Sequence, residues 1–273
     1  MSIKALCDHV GMRRQNFYKR RKVRQRKKVD EQLVKQLVEA ERALQPRLGG
    51  LKLHSMLREE LESQDVYLGR DRFFEVLKNQ ALLLEPLPKA PRTTNSMHSL
   101  PVFGNMVKDL ELTGPNQVWI SDITYIRTGE DFAYLSLITD KYSRKIVGYY
   151  LGRTLEAQDT LKALKMALAE LPEGAEPIHH SDRGSQYCCH EYVDELEGHG
   201  LQVSMTEVDH CAENAQAERM NGILKQEYFL NYEFRTVAQA RKAVDEAVRL
   251  YNTCRPHRSL KMKTPAAVHA VAA

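Results

Sequence analysis

The sequence contains no Cys-x-x-Cys pair, and its five cysteines in 273 residues are an odd number. That pattern excludes a disulfide framework, argues against a thiolate zinc site, and fits a reducing compartment. Cys188-Cys189-His190 are adjacent, unlike the spaced ligand pairs of structural zinc. No apolar run approaches the roughly 18 residues of a membrane span. Met1-Ser2-Ile3-Lys4 lacks a signal peptide's apolar stretch, so the expected location is the cytoplasm, with no membrane partner. Also missing are the G-x-x-x-x-G-K, G-x-G-x-x-G, H-E-x-x-H and G-x-S-x-G motifs, which removes the common nucleotide-binding, zinc-protease and serine-hydrolase chemistries. There is no internal repeat. What remains, with 42% hydrophobic and 28% charged residues, is an ordinary globular composition with room for one large domain or two to three small ones.

The net charge of +4 is unevenly distributed. Residues 1–92 hold 21 Lys+Arg against 12 Asp+Glu, whereas residues 93–273 hold 19 against 24. Residues 1–28 alone carry 11 basic residues and one acidic residue, Asp8. A run such as Lys19-Arg20-Arg21-Lys22-Val23-Arg24-Gln25-Arg26-Lys27-Lys28 repels itself and cannot enter a core, but it is a ready counterion for a phosphate backbone. Arg13, Arg14, Lys19, Arg20, Arg21 and Lys22 are therefore the candidate DNA-binding residues of this arm.

Ile3, Leu6 and Val10 have helical spacing, Gly11 supplies a turn, and Gln15–Lys22 can form a second helix, the pattern of a small helix-turn-helix. A longer helix is expected over Asp30–Leu44, closing a first unit at residues 1–45. Helices over His54–Leu61 and Arg70–Leu84 make a second unit, 46–92, near neutrality and with no independent sign of DNA binding. Pro86, Pro88 and Pro91 open a linker that extends over 93–113. From about Gly114 to residue 273 the pattern changes. Val118–Arg127, Phe132–Thr139 and Lys145–Leu151 read as strands so closely joined that they must form an antiparallel meander. A helix marked by Leu161, Leu164, Leu168 and Leu171 follows, then a strand at Pro177–His180, a helix over Ser185–Glu197, a strand at Leu201–Ser204 and a helix over Glu213–Phe229. The expected fold is thus α/β. The order β-β-β-α-β-α-β-α is that of a ribonuclease H-like core, a mixed five-stranded sheet with flanking helices, preceded by small all-α helix-turn-helix units.

Three acids stand out in that order. Asp122 interrupts an apolar strand, where a charge is costly unless paired or bound to metal. Asp182 directly follows the fourth strand, at the carboxyl end where α/β sheets place functional groups. Glu218 lies on the last helix, with 35 residues between it and Asp182. Taken singly, a paired strand residue, a helix N-cap and a solvated helix residue would explain them. Together they are three hard oxygen ligands suited to Mg²⁺ or Mn²⁺, two of which, roughly 3.5–4 Å apart, can run an in-line displacement at phosphorus. Glu213 and Glu227 compete for the third place, but on an ideal helix neither shares the Glu218 face. Lys225, two turns beyond Glu218 on the same face, can reach DNA phosphate. Asn214 and Arg183 are supporting candidates, Asn214 either orienting a ligand or capping the helix. Of His179 and His180, at least one is expected to be buried and structural. Arg255, His257 and Arg258 either contact DNA or brace the end of the fold.

These residues sit in stretches that resemble one family. Gln117-Val118-Trp119-Ile120-Ser121-Asp122-Ile123-Thr124-Tyr125-Ile126, His180-Ser181-Asp182-Arg183-Gly184-Ser185-Gln186-Tyr187, Glu213-Asn214-Ala215-Gln216-Ala217-Glu218, Leu224-Lys225-Gln226-Glu227 and Tyr251-Asn252-Thr253-Cys254-Arg255-Pro256-His257-Arg258 with Thr264-Pro265 are similar to the second-reading-frame product of the insertion sequence three family of bacterial transposases. That family falls within the Asp-Asp-Glu transposase and retroviral integrase superfamily, and the resemblance covers nearly the whole chain. Glu213 departs from it, since many relatives have Asp there. The resemblance implies a polynucleotidyl transferase with Asp122, Asp182 and Glu218 as catalytic residues and metal ligands. It implies double-stranded DNA partners, both element ends and target, and 3′-hydroxyl attack without a covalent protein–DNA intermediate. It further implies a homo-oligomer associated with the bacterial nucleoid, and fusion or partnership with an upstream reading-frame product. The alternative is a catalytically silent DNA-binding regulator; a nuclease of ribonuclease H type would share the metals but not need the basic arm.

Overall fold

The computed structural model describes residues 2–85, 100–129, 131–207 and 215–271. The chain divides into two compact units, Met1–Leu44 with Leu48–Glu85, and Gln45–Arg47 with Pro86–Ala273.

The first unit is all helix. α1 (Ile3–His9) turns at Gly11, whose positive φ of 65° is the left-handed conformation that glycine tolerates best. α2 then runs unbroken from Arg14 to Leu44, where the sequence suggests a stop at Lys22 and a fresh start at Asp30. Charge density misleads here. Lys, Arg and Gln are good helix formers, no Pro or Gly intervenes, and Lys27–Glu31 and Lys35–Glu39 bridge successive turns. α3 (Gly50–Ser63) and α4 (Arg70–Asn79) close on the far half of α2. Val34 and Val38 share one core with Leu53, Leu57, Phe73, Val76 and Leu77, so residues on both sides of position 45 form a single unit rather than two.

The second unit is built on a five-stranded sheet in the order β3-β2-β1-β4-β5. β1 (Val118–Thr128), β2 (Asp131–Asp140) and β3 (Ile146–Gly152) form the antiparallel meander, and β4 (Ile178–Ser181) and β5 (Gln202–Met205) extend it in parallel with β1. On one face α5 (Ala157–Ala169) lies so close to β3 that a side chain at Gly148 would overlap the Ala163 carbonyl oxygen. The helix expected over Ser185–Glu197 is two: α6 (Ser185–Cys188) and α7 (His190–Gly198), broken at Cys189, which is extended at φ −73°, ψ 148°. The opposite face carries α8 (Ala215–Glu227) and α9 (Val237–Thr253), packed over Ile126, Leu135, Leu137 and Leu151. A 3-10 turn (Arg258–Leu260) and α10 (Pro265–Ala270) end the described chain. Residues 100–113, within the segment read as a linker, lie on the sheet: Val107 is buried, and the Met205 N–H donates to the Gly104 carbonyl at 3.3 Å.

The tail motif proves to be a brace. Arg255, 2% exposed, donates Nε and Nη2 to Glu227 at 2.8 and 2.7 Å and Nη1 to His257 Nε2 at 2.7 Å. This ties α8 to the chain after α9, occupies Glu227, and decides the open reading of Arg255 and His257 in favour of structure; Arg258 is exposed. Asn252 acts as a substitute strand, accepting from the Ile146 N–H and donating to its carbonyl at 3.0 and 2.9 Å. Removing one member of a buried ion pair strands the other, so Arg255→Ala should cost about 3 kcal/mol in thermal or chemical denaturation, whereas Arg258→Ala should stay within about 0.5 kcal/mol of the parent.

Candidate active site

The site begins where strand pairing stops. β4 pairs with β1 only over Val118–Ile178, Trp119–His179 and Ile120–His180. Asp122 and Asp182 each lie two residues past the last of these pairs, so parallel register carries both acids to the same level, just beyond the end of the β1–β4 pairing. α8 crosses this end. Its Asn221, 8% exposed, donates Nδ2 to Asp122 Oδ2 at 2.7 Å, and Glu218 sits one turn earlier on the same helix. The other Asp122 oxygen accepts from the Ile123 N–H at 2.9 Å.

The electrostatics register this convergence. Burial first, then the charge of Asp182 and, less strongly, that of Glu218 push the Asp122 carboxyl up to about 7, against the opposing pull of the Ile123 and Asn221 hydrogen bonds. Among the described residues no three His, Cys, Asp or Glu side chains close on a single ion. The three carboxylates share one electrostatic neighbourhood without forming a finished cage. Their donor chemistry, hard oxygens around a carboxyl strained by like charge, is the kind that a divalent cation stabilises.

The neighbours hold these acids in place. Asp182 Oδ1 accepts from the Gly184 N–H at 3.0 Å, closing the turn into α6, and Arg183 Nε donates to the Thr206 carbonyl at 2.7 Å, tying that turn to the end of β5. His179 and His180 are both structural. His179, 1% exposed, shares a hydrogen bond with the Tyr192 hydroxyl at 2.9 Å and is driven down to about 3 by burial, then by His180, so it stays neutral; His180 Nδ1 pairs with Ser204 Oγ at 2.9 Å. Lys225 is half-buried, with its Nζ 4.0 Å from the centre of the Tyr125 ring. Burial pushes it below the usual lysine value while the Asp122 charge pulls it back up. Asn214 lies outside the described residues. Arg13, Arg14, Lys19, Arg20, Arg21 and Lys22 are all exposed in the first unit, Arg13 on the turn before α2 and the rest along its first turns.

Two residues were missed from sequence. Asn221 carried a usable signal, its three-residue spacing from Glu218. Asp140 carried none. It ends β2 fully buried and is a structural knot: burial would raise its carboxyl, but hydrogen bonds from His269, Ser143 and Asn116 outweigh this and hold it low. Asn116 N–H and Ser143 N–H donate to it at 2.7 and 2.6 Å.

Fold and site together define an integrase-type core of the ribonuclease H-like class. Family models described as integrase core domain match residues 113–211 and 199–265. The chain is 36% identical over 266 residues to an uncharacterized 31 kDa protein of insertion element IS600 from Shigella sonnei, covering 96% of each. It is 31% identical over 231 residues to transposase InsF for insertion sequence IS3A of Escherichia coli K12, covering 83% of this chain and 79% of that one. A simian T-cell lymphotropic virus intasome structure, in complex with PP2A regulatory subunit B56 gamma, shares the fold: TM-score 0.50, 18% identity, 81% of this chain and 74% of that one. The chain belongs to the IS3 family of transposases.

Because Asp122 titrates near 7 in the fold against an ordinary 3.8, its ionisation opposes folding. That cost is absent below pH ~4, grows as pH rises, and is complete above ~7. In EDTA, Asp122→Asn should therefore be more stable than the parent, by up to about 4 kcal/mol at pH 8, with the difference shrinking towards pH 4 in thermal melts.

Proposed function

We propose that this transposase binds the terminal inverted repeats of its element and carries out strand cleavage and strand transfer at a site formed by Asp122, Asp182 and Glu218. The observation that carries this reading is the placement of two acids at one end of the β1–β4 pairing and a third on α8, with Asp122 raised by burial and then by the other two. Asp122, Asp182 and Glu218 would hold Mg²⁺ or Mn²⁺, two ions in the full site; when bound, the metal supplies Lewis acidity at the phosphodiester and activates water or a sugar hydroxyl.

The protein's own groups do the positioning. Asn221 fixes one Asp122 oxygen and the Gly184 N–H fixes one of Asp182, so two of the three carboxylates are oriented before DNA arrives. Glu218 is exposed on the first turn of α8, accessible to an incoming phosphate and its counterions. Lys225 would balance phosphate charge beside the acids, and Arg183 acts through Asp182 by holding its loop. Cleavage would leave a 3′-hydroxyl that attacks a second phosphodiester, expelling its 3′-oxygen as the new bond forms, so no protein–DNA bond is needed. Joining two DNA ends calls for at least two copies of the chain, with or without the upstream reading-frame product. Arg13, Arg14, Lys19, Arg20, Arg21 and Lys22 would anchor the flanking duplex by its phosphates.

A strand-transfer assay with oligonucleotides carrying the element ends and Mg²⁺ or Mn²⁺ tests the reading. Joined products should appear with the parent and fall at least about 10³-fold in Glu218→Gln, a loss of transition-state stabilisation of about 4 kcal/mol. Cleavage without joining would indicate a nuclease; end binding without chemistry, even after fusion to the upstream product, would indicate a silent regulator. In the same system, the double variant Arg20→Ala, Arg21→Ala should flatten the slope of log affinity against log salt by about 2, with little change in sequence preference.

A further inference from the structure

Between Ile120 and the parallel bridge of Thr128 to Phe234, the β4-facing edge of β1 has no strand partner among the described residues, and Lys225 lies beside this stretch. Among those residues it makes no ion pair, although Asp122 is near enough to act on its charge. A lysine on a flexible four-carbon stem near the Asp122 carboxylate would be expected to fall onto it. Instead its ammonium rests over the Tyr125 ring, 4.0 Å from the centre. The ring is itself fixed. Tyr125 is paired with Tyr134 in the β1–β2 ladder, and Phe132 meets it edge-on with centroids 5.4 Å apart at 85°. An aromatic face attracts an ammonium without neutralising it, so the cation keeps its charge for a ligand.

We propose that Tyr125 is a positioning residue: with Phe132 behind it, its ring holds the Lys225 ammonium away from the catalytic carboxylates and presents it to a DNA phosphate entering at the open edge of β1. This rests on the function proposed above for the same site. Tyr125 touches neither the reacting atoms nor DNA; it acts through Lys225. The hydroxyl plays no part, so phenylalanine should serve as well as tyrosine.

Two measurements test the assignment, one of them free of DNA and metal. In the full-length protein, ring current should shift the Lys225 ε-methylene protons upfield in NMR spectra. The shift should persist in Tyr125→Phe and vanish in Tyr125→Leu; a parent without it would overturn the contact whatever the protein's function. In DNA-end binding by fluorescence anisotropy across a salt series, Tyr125→Leu should weaken affinity roughly three- to tenfold and flatten the salt slope by about 1, matching Lys225→Ala. Tyr125→Phe should restore both, and Tyr125→Leu added to Lys225→Ala should do nothing more. Additive losses, or a Tyr125→Leu protein that binds and responds to salt as the parent does, would overturn the proposal. If Tyr125→Leu does not fold, Phe132→Leu, which removes only the support of the ring, should reproduce a smaller loss of the same kind, and full parental behaviour there would count against it. A parent that binds no DNA end but shows the ring-current shift would instead overturn the functional reading and leave the contact standing.

Discussion

Everything distinctive about the site follows from burying like charges together where two parallel strands part. The parallel pairing of β1 with β4 lasts three residues, and the two acids that follow it are brought together by register alone. Folding brings Asp122 there at a cost, since burial and two neighbouring carboxylates all oppose its ionisation. The surroundings are arranged to bear that cost rather than remove it. Asn221 and Ile123 each donate one hydrogen bond to Asp122, while Lys225 is kept on an aromatic ring instead of quenching the cluster. A site that neutralised itself would have little left with which to attract a cation.

The contrast with the other buried acids is instructive. Asp140 is fully buried, yet donors surround it and its carboxyl stays low. Glu227 is engaged by both arms of the Arg255 fork. Burial by itself therefore does not set a carboxyl's state here; what separates Asp122 is that the charges pushing on its carboxyl have its own sign.

Much of this was legible in the sequence because strand order and local apolar pattern are written residue by residue. The meander and the short parallel strands follow from β-branched runs and turn residues, and the position of Asp122 and Asp182 relative to the β1–β4 pairing follows from them. The tail was ambiguous for a different reason: an arginine bound for solvent and one bound for a buried glutamate look alike until the partner, 28 residues earlier, is brought to it. The break at Cys189 separates two helices and carries no Pro or Gly to announce it. α2 spans the expected gap because lysine and arginine favour helix, and their side chains extend outward into water and spread their charge. Asp140 was invisible because its donors come from segments as distant as His269.

The treatment of β3 bears on how such molecules associate. As the outer strand of the meander it would ordinarily offer a row of free backbone groups to any extended chain, the usual route to sheet extension and aggregation. α9 seals part of it from within, through the Asn252 amide at Ile146 and the Arg241 guanidinium at the Leu151 carbonyl, 3.0 Å away. A neighbouring molecule seeking to continue the sheet there would first have to dislodge both side chains. Assembly of this protein is thereby steered towards side-chain surfaces, whose fit can be selective, and away from backbone pairing, which discriminates poorly between partners.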